Sequence, residues 1–253
     1  MKIRSAIMAC LGFSVAATAQ LSPPGMGETK EAYWSAIGLN QKLTEKDNSI
    51  TYVGVGRISG IQEDGVMNKP SIFVVNEEVY HKLSTHWKYS GALSYRRQHE
   101  YDAGPGIAGT DEIKQEFRVY GRLQYGLEIG SVKWNNTLRE EARKFYADDF
   151  SDVENGFQLR TRLKTQVVIP LDHESHNTIL WSAEALFSAA SDSHHGWDGM
   201  GYKESRFCLY YSLSPTNIPV TFDIGYMNDL MGHGSQMADA NYLAMDIIVK
   251  DLF

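Results

Sequence analysis

The sequence predicts an all-β fold: an antiparallel transmembrane β-barrel with short periplasmic turns and longer extracellular loops. Apolar and polar residues alternate over many segments of roughly ten residues. Short and long connections between these segments also alternate along the chain, and the chain starts with a signal for export. Bacterial single-chain barrels have even strand counts, so ten strands are favoured and twelve are the second choice.

The first residues have the three parts of a secretory signal peptide. Lys2 and Arg4 form a positive start, residues 5–16 an apolar core, and Ala17-Thr18-Ala19 a cleavage site. We therefore expect residues 1–19 to be removed on export to the cell outer membrane. Residues 20–49 would form an N-terminal lead-in or an extra hairpin, and residues 50–253 the barrel.

Charge and cysteine content limit the function classes. Losing the two basic residues of the signal peptide takes the net charge from −7 to −9, which argues against a nucleic-acid partner. Cys208 would be the one remaining cysteine, so no intrachain disulfide is expected. No later segment approaches 18 consecutive apolar residues, which argues against helical membrane spans.

The strands are predicted from period-two alternation, because the apolar residues do not return three and four positions later as in a helix. Weaker strands fit residues 50–59, 71–84 and 220–228. Clear ones fit residues 87–96, 113–125, 132–143, 157–169, 179–188, 206–213 and 242–249. Residues 33–43, which include Trp34, are ambiguous.

The connections indicate two different rims. Short ones lie near residues 84–85, 126–131, 170–177 and 214–219. Longer polar ones are residues 60–70, 99–111, 146–155, 190–201 and 229–239. Short turns at one rim and long loops at the other are typical of outer-membrane barrels.

A soluble secreted β-barrel that binds a ligand is the alternative, because such barrels also alternate. Long strands and aromatic residues near strand ends favour the membrane; these aromatics are Trp87, Tyr125, Trp134, Phe187 and Tyr226. Phe253, with Val249, Ile247 and Met245 at alternate positions before it, resembles a C-terminal assembly signal, although Asp251 departs from that pattern. The expected partners are therefore outer-membrane lipid and, through Phe253, the barrel-assembly machinery.

In a membrane barrel the charged face points into the lumen. Twelve basic residues fall there: Lys88, Arg96, Lys114, Arg118, Arg122, Lys133, Arg139, Arg143, Arg160, Arg162, Lys164 and Arg206. The five acidic ones are Glu116, Glu141, Glu184, Glu204 and Asp223. These charges predict either an ion-pair network that fills a narrow lumen or a small pore for anionic solutes.

Two further functions have weaker support. A lipid-modifying acylhydrolase would need a serine and a histidine in contact, and His86 with Ser90 or Ser94 is the candidate pair in the wall; His173-Glu174-Ser175 falls in a turn. The loop residues Asp192, His194, His195, Asp198 and His233 suit a metal ion but match no closed motif. We predict no catalytic residues, no metal and no cofactor.

The order of several short motifs resembles a family of Gram-negative outer-membrane β-barrel proteins classified as a domain of unknown function. The motifs are an early Trp34, Glu116-x-Arg118, Arg139-x-Glu141-x-Arg143, Arg160-x-Arg162 before Ile169-Pro170-Leu171, then Glu184, Arg206 and Gly225-Tyr226. The resemblance covers nearly the whole chain after the signal peptide. It implies a barrel in the outer membrane and brings no activity.

Overall fold

The computed structural model describes residues 21, 23–26, 29, 31–59, 67–101, 111–192, 196–232 and 237–251. Over these ranges the chain forms strands and connections, and no helix is long and apolar enough to cross a membrane. The predicted signal peptide, residues 1–19, and Phe253 lie outside the described residues.

Twelve strands follow one another along the described chain. They are β1 (Glu31–Lys42), β2 (Asp47–Ile58), β3 (Lys69–Lys82), β4 (Trp87–Tyr101), β5 (Asp111–Ile129), β6 (Val132–Tyr146), β7 (Asp152–Pro170), β8 (Asn177–Asp192), β9 (Gly196–Trp197), β10 (Gly201–Leu213), β11 (Val220–Met231) and β12 (Ala238–Lys250). The two-residue β9 pairs with the end of β8, while β8 also pairs directly with β10. The other eleven strands form the wall of a closed barrel.

The barrel closes through a parallel pair. β1 lies beside β12 in parallel from Glu31 opposite Asn241 to Asn40 opposite Lys250, whereas every other pair in the wall is antiparallel. The expectation of a purely antiparallel barrel of ten or twelve strands is therefore wrong, and the wall is a mixed sheet of eleven strands.

The miscount comes from β1, which lies in the ambiguous segment. Its two faces are both apolar or small: Ala32, Trp34 and Ala36 are buried inside the barrel, while Tyr33, Ile37 and Leu39 alternate with them on the outside. Because the inner face packs in an apolar part of the interior, the strand lacks the polar alternation that identifies the other strands.

The connections separate into two rims. Residues 43–46, 83–86, 130–131, 171–176 and 214–219 join strands at what we call the short-turn rim. At the opposite rim, which we call the long-loop rim, the strands end at Ile58, Tyr101, Tyr146, Asp192 and Met231, and the intervals of sequence before the next wall strand are longer on average. β1 begins at the long-loop rim and β12 ends at the short-turn rim, as the parallel pairing requires.

The two faces of the wall differ sharply. Large apolar side chains are exposed on the outer face of all eleven wall strands, from Ile37 on β1 to Leu243 and Met245 on β12. The inner face is buried and has two parts. Apolar side chains such as Trp34, Tyr210 and Met227 pack together mainly on the side of β1–β3 and β10–β12, and most of the buried arginines and their partner acids lie on β4–β8.

Candidate functional site

The barrel interior holds a stretch of chain that precedes β1. We call residues 21, 23–26 and 29 the luminal segment. The guanidinium of Arg96 on β4 donates to the carbonyl of Gly25, and that of Arg206 on β10 donates to the carbonyl of Pro23 at 3.4 Å. Because β4 and β10 are well separated around the wall, a segment that meets both lies in the lumen.

Apolar side chains hold the luminal segment against β1 and β2. A Cβ atom on Gly38 would lie 3.2 Å from Leu21 Cδ1, and one on Gly56 would lie 2.5 Å from Met26 Sδ. The backbone N–H of Met26 also donates to the Tyr242 hydroxyl at 3.0 Å. Glycines on the inner wall therefore make room for these two side chains, which are both buried.

Glu116 is the centre of the charged interior. It accepts hydrogen bonds from Nε (2.9 Å) and Nη2 (2.7 Å) of Arg118, its neighbour on the same strand face. Arg143 on β6 approaches with its Nε and Nη2 atoms, each 2.7 Å from one carboxylate oxygen. This two-point contact is the strong form of an arginine–carboxylate pair, and Arg96 lies 3.9 Å away.

Glu141 and Glu184 continue the network along β6–β8. Arg162 makes a two-point contact with Glu184, at 2.9 and 2.6 Å, and also donates to Glu141 at 3.2 Å. Arg139 Nε lies 2.6 Å from Glu141 and Arg118 Nη1 lies 3.4 Å from it. The alternate spacing of these residues puts them on one face of each strand, and the strand register brings them together.

Arg206 pairs with acids on its own strand and on β11. It contacts Glu204, and its Nε atom is 3.3 Å from Asp229. Lys114 is apart from the network, because its ammonium pairs with Glu100 at 2.5 Å and both side chains are about two-fifths exposed. Arg160 donates to Gln158 at 3.4 Å.

Three acids inside the barrel were not among the predicted lumen residues: Glu78, Asp229 and Asp246. Glu78 on β3 accepts hydrogen bonds from Ser90 (2.5 Å) and Tyr120 (2.8 Å). Asp246 accepts one from the Trp34 indole at 3.0 Å. The inner residues two positions before and after each of them are uncharged, so no charged pattern marked these acids in the sequence.

A small cavity lies between the network and the short-turn rim. Its volume is about 50 Å³, and the charged residues that line it are Glu78, Arg122, Arg139, Arg162, Lys164 and Glu184. Tyr52, Tyr80 and Leu21 of the luminal segment form other parts of its wall. The cavity is far smaller than the roughly 300–1,000 Å³ of a site for a drug-sized ligand.

The enzyme and metal candidates are not assembled in the described part of the chain. Nδ1 of His86 lies 3.0 Å from the carbonyl oxygen of Gly126, whereas Ser90 donates to Glu78 and Ser94 to the Val75 carbonyl. His176, not His173, contacts Glu174 in the turn. No group of three or more His, Cys, Asp or Glu residues suited to a metal occurs among the described residues; His194, His195 and His233 lie outside them.

A family model described as a protein of unknown function (DUF2490) matches residues 31–237. The chain belongs to this family. The matched residues run from the start of β1 to just before β12 and include the Glu116, Glu141 and Glu184 ion pairs of this DUF2490 member. No curated protein matches the chain.

Proposed function

We propose that the protein is an integral β-barrel of the Gram-negative outer membrane with an occluded, ion-paired lumen. The observation that carries the proposal is the outer face, where large apolar side chains are exposed on all eleven wall strands. Soluble monomers rarely expose a continuous apolar patch of more than a few hundred Å². A belt that encircles the barrel suits outer-membrane lipid as its partner.

Strand length and aromatic placement support the same proposal. The wall strands contain 12 to 19 residues, and a tilted strand needs about 9–11 to cross the apolar core of a bilayer. Trp87, Trp134 and Trp181 are exposed near the short-turn rim, where an aromatic girdle is expected. By the usual arrangement of such barrels, the short-turn rim faces the periplasm.

Two glutamates interrupt the apolar outer face. Glu77 accepts a hydrogen bond from Thr51, and Glu140 accepts one from Thr161 at 2.8 Å. In both pairs a threonine from the neighbouring strand supplies the donor, which satisfies part of the acid's hydrogen-bonding capacity where lipid would offer none. Both of these acids therefore have a hydrogen-bond partner within the wall.

A matched pair of substitutions tests the membrane proposal. Leu93 lies in the middle of β4 and Leu83 in a short turn, with 65% and 56% of their surfaces exposed. In a bilayer, Leu93→Arg is expected to cost about 2–4 kcal/mol of folding free energy and Leu83→Arg about 0–1 kcal/mol. Folding in lipid vesicles under urea measures both; equal, small effects would contradict the proposal and favour the soluble barrel.

Occlusion of the lumen has two supports. The luminal segment is packed against the inner wall, and the central carboxylates each contact at least one arginine. We therefore expect no steady conductance in planar lipid bilayers. Arg96→Gln together with Arg206→Gln removes the two guanidinium contacts to the luminal segment and should produce conductance. Anion-selective conductance by the unaltered protein would replace occlusion with the small pore for anionic solutes.

Insertion by the barrel-assembly machinery through Phe253 is a further part of the proposal. Met245, Ile247 and Val249 alternate along β12 before it, with Met245 exposed on the outer face. Deleting Phe253 should lower the amount of protein in the outer-membrane fraction, measured against the unaltered chain. Equal amounts of both in that fraction would remove Phe253 from the proposal.

A further inference from the structure

Three arginines on neighbouring strands form a row along the wall of the interior cavity. Arg122 on β5 is directly opposite Arg139 on β6, and Arg139 is directly opposite Arg162 on β7. Like charges in directly opposed positions destabilise a sheet. The three guanidinium groups therefore need nearby carboxylates, and the contacts with those carboxylates differ among the three.

Arg162 is fully engaged, through its two-point contact with Glu184 and its hydrogen bond to Glu141. Nε of Arg122 lies 3.0 Å from Glu78, and Nε of Arg139 lies 2.6 Å from Glu141. Each of these two contacts is an ion pair made through one buried nitrogen, whereas Arg162 meets Glu184 at two points.

The two arginines without a two-point contact are also the more exposed ones of the three. Their side chains are 28% (Arg122) and 12% (Arg139) exposed, against 7% for Arg162. Both line the cavity, which four basic and two acidic residues share. The charged wall therefore has a positive excess, and Arg122 and Arg139 both belong to that wall.

The size of the cavity restricts what could fill it. About 50 Å³ corresponds to about four water molecules at 10–15 Å³ each. A phosphate or sulfate ion is of this size, whereas a sugar is not. Fixed arginine forks match tetrahedral oxyanions in geometry as well as charge.

We infer that this cavity is a binding site for a small oxyanion of the phosphate or sulfate type, held between Arg122 and Arg139. The site goes beyond the proposed membrane function, because it depends on the barrel interior and would exist in a soluble barrel too. The inner side chains between the cavity and the short-turn rim, such as Lys88, Gln124 and Gln166, are half buried. The anion would thus enter from that rim.

Thermal unfolding of the purified full-length protein tests the site. Sodium phosphate, sulfate and chloride would be compared at one ionic strength, with glucose 1-phosphate as a fourth solute. Phosphate and sulfate should raise the unfolding midpoint and saturate, as ligands of the folded state do, and chloride should not. A chloride effect equal to that of phosphate would overturn the site. Glucose 1-phosphate should act less than phosphate, since its sugar exceeds the cavity, and an equal or larger effect would overturn a free-ion site.

Three variants identify the site. Arg139→Gln should weaken phosphate binding by about tenfold or more, as expected for a lost charged hydrogen bond. Thr137→Leu keeps every charge but fills the cavity, which Thr137 lines, so it should abolish the phosphate response even if Arg139→Gln does not fold. Arg97→Gln is the matched control, because Arg97 pairs with Asp148 at 3.4 Å and does not line the cavity, so this variant should keep the response. Loss of the response in Arg97→Gln would overturn the assignment.

Discussion

Replacing Glu116 by glutamine tests whether the interior ion pairs stabilise the barrel. Four hydrogen bonds from Arg118 and Arg143 end on this carboxylate, and Arg96 is a third arginine close to it. Glutamine keeps the shape but removes the charge and turns one acceptor into a donor that faces a guanidinium. Removing one partner of a buried ion pair costs about 3–5 kcal/mol.

The expected size of the effect follows from the size of the protein. In a domain of about 150–250 residues, 1 kcal/mol shifts the thermal midpoint by about 2–4 °C. Glu116→Gln should therefore lower the midpoint by about 6–20 °C, followed by tryptophan fluorescence in detergent. Glu112→Gln is the matched control, because Glu112 lies on the same strand but is exposed. If the two midpoints differ by less than about 2 °C, the network does not stabilise the barrel as argued.

Three other substitutions probe the packing, the outer face and a turn. Gly54→Ala would push a Cβ into the Trp34 ring and should lower the free energy of unfolding in urea by about 1–3 kcal/mol. Gly91→Ala is the control, because Gly91 has open space around it, and it should leave the free energy of unfolding almost unchanged. Equal effects of the two substitutions would contradict the close packing at Gly54. If the outer face meets lipid as proposed, Glu140→Leu should stabilise the barrel in lipid vesicles, because a charge on that face is unfavourable there; a loss of stability would indicate that the Thr161 contact is needed. Hydrogen bonds from the Asn177 side chain, and from the backbone N–H groups of His176 and Asn177, lower the pKa of Asp172 in the turn at 171–176. A carboxylate whose pKa is lower in the folded state stabilises the fold at pH values above its unfolded-state pKa, and this stabilisation is lost as the pH falls through its folded-state pKa. Asp172→Asn should therefore be less stable than the unaltered protein at pH 7 and equally stable in strong acid. A difference in stability that persists in acid would refute this.

The strands with a charged inner face could be predicted from the sequence, and the others only weakly. In β5 the alternation of Phe117, Val119 and Leu123 with charged residues marks both faces at once. β1 packs its inner face in the apolar half, so its two faces look alike and the period-two signal fades. The strand count was wrong because this segment stayed ambiguous and was not counted.

The interior was partly predictable for a similar reason. Alternation assigns Glu116 and Arg118 to one face of β5, but it cannot say that Arg143 rather than Arg139 meets Glu116. That pairing depends on the strand register, which long-range contacts set. Glu78 and the luminal segment could not be predicted from the sequence, since an isolated acid and a short stretch rich in proline and glycine show no periodic pattern.

The odd strand number and the occupied lumen are connected through the start of β1. With eleven wall strands, β1 and β12 run in the same direction, so β1 must begin at the long-loop rim, where Thr29 bonds to the carbonyls of Glu31 and Ser59. The chain reaches that rim from Leu21, which contacts the inner wall at Gly38, near the other end of β1. The luminal segment therefore runs through the interior from one rim towards the other, where a twelfth strand would instead run in the wall. An even barrel would have needed no such segment, and its Arg96 and Arg206 would have lacked the carbonyl acceptors that the segment supplies.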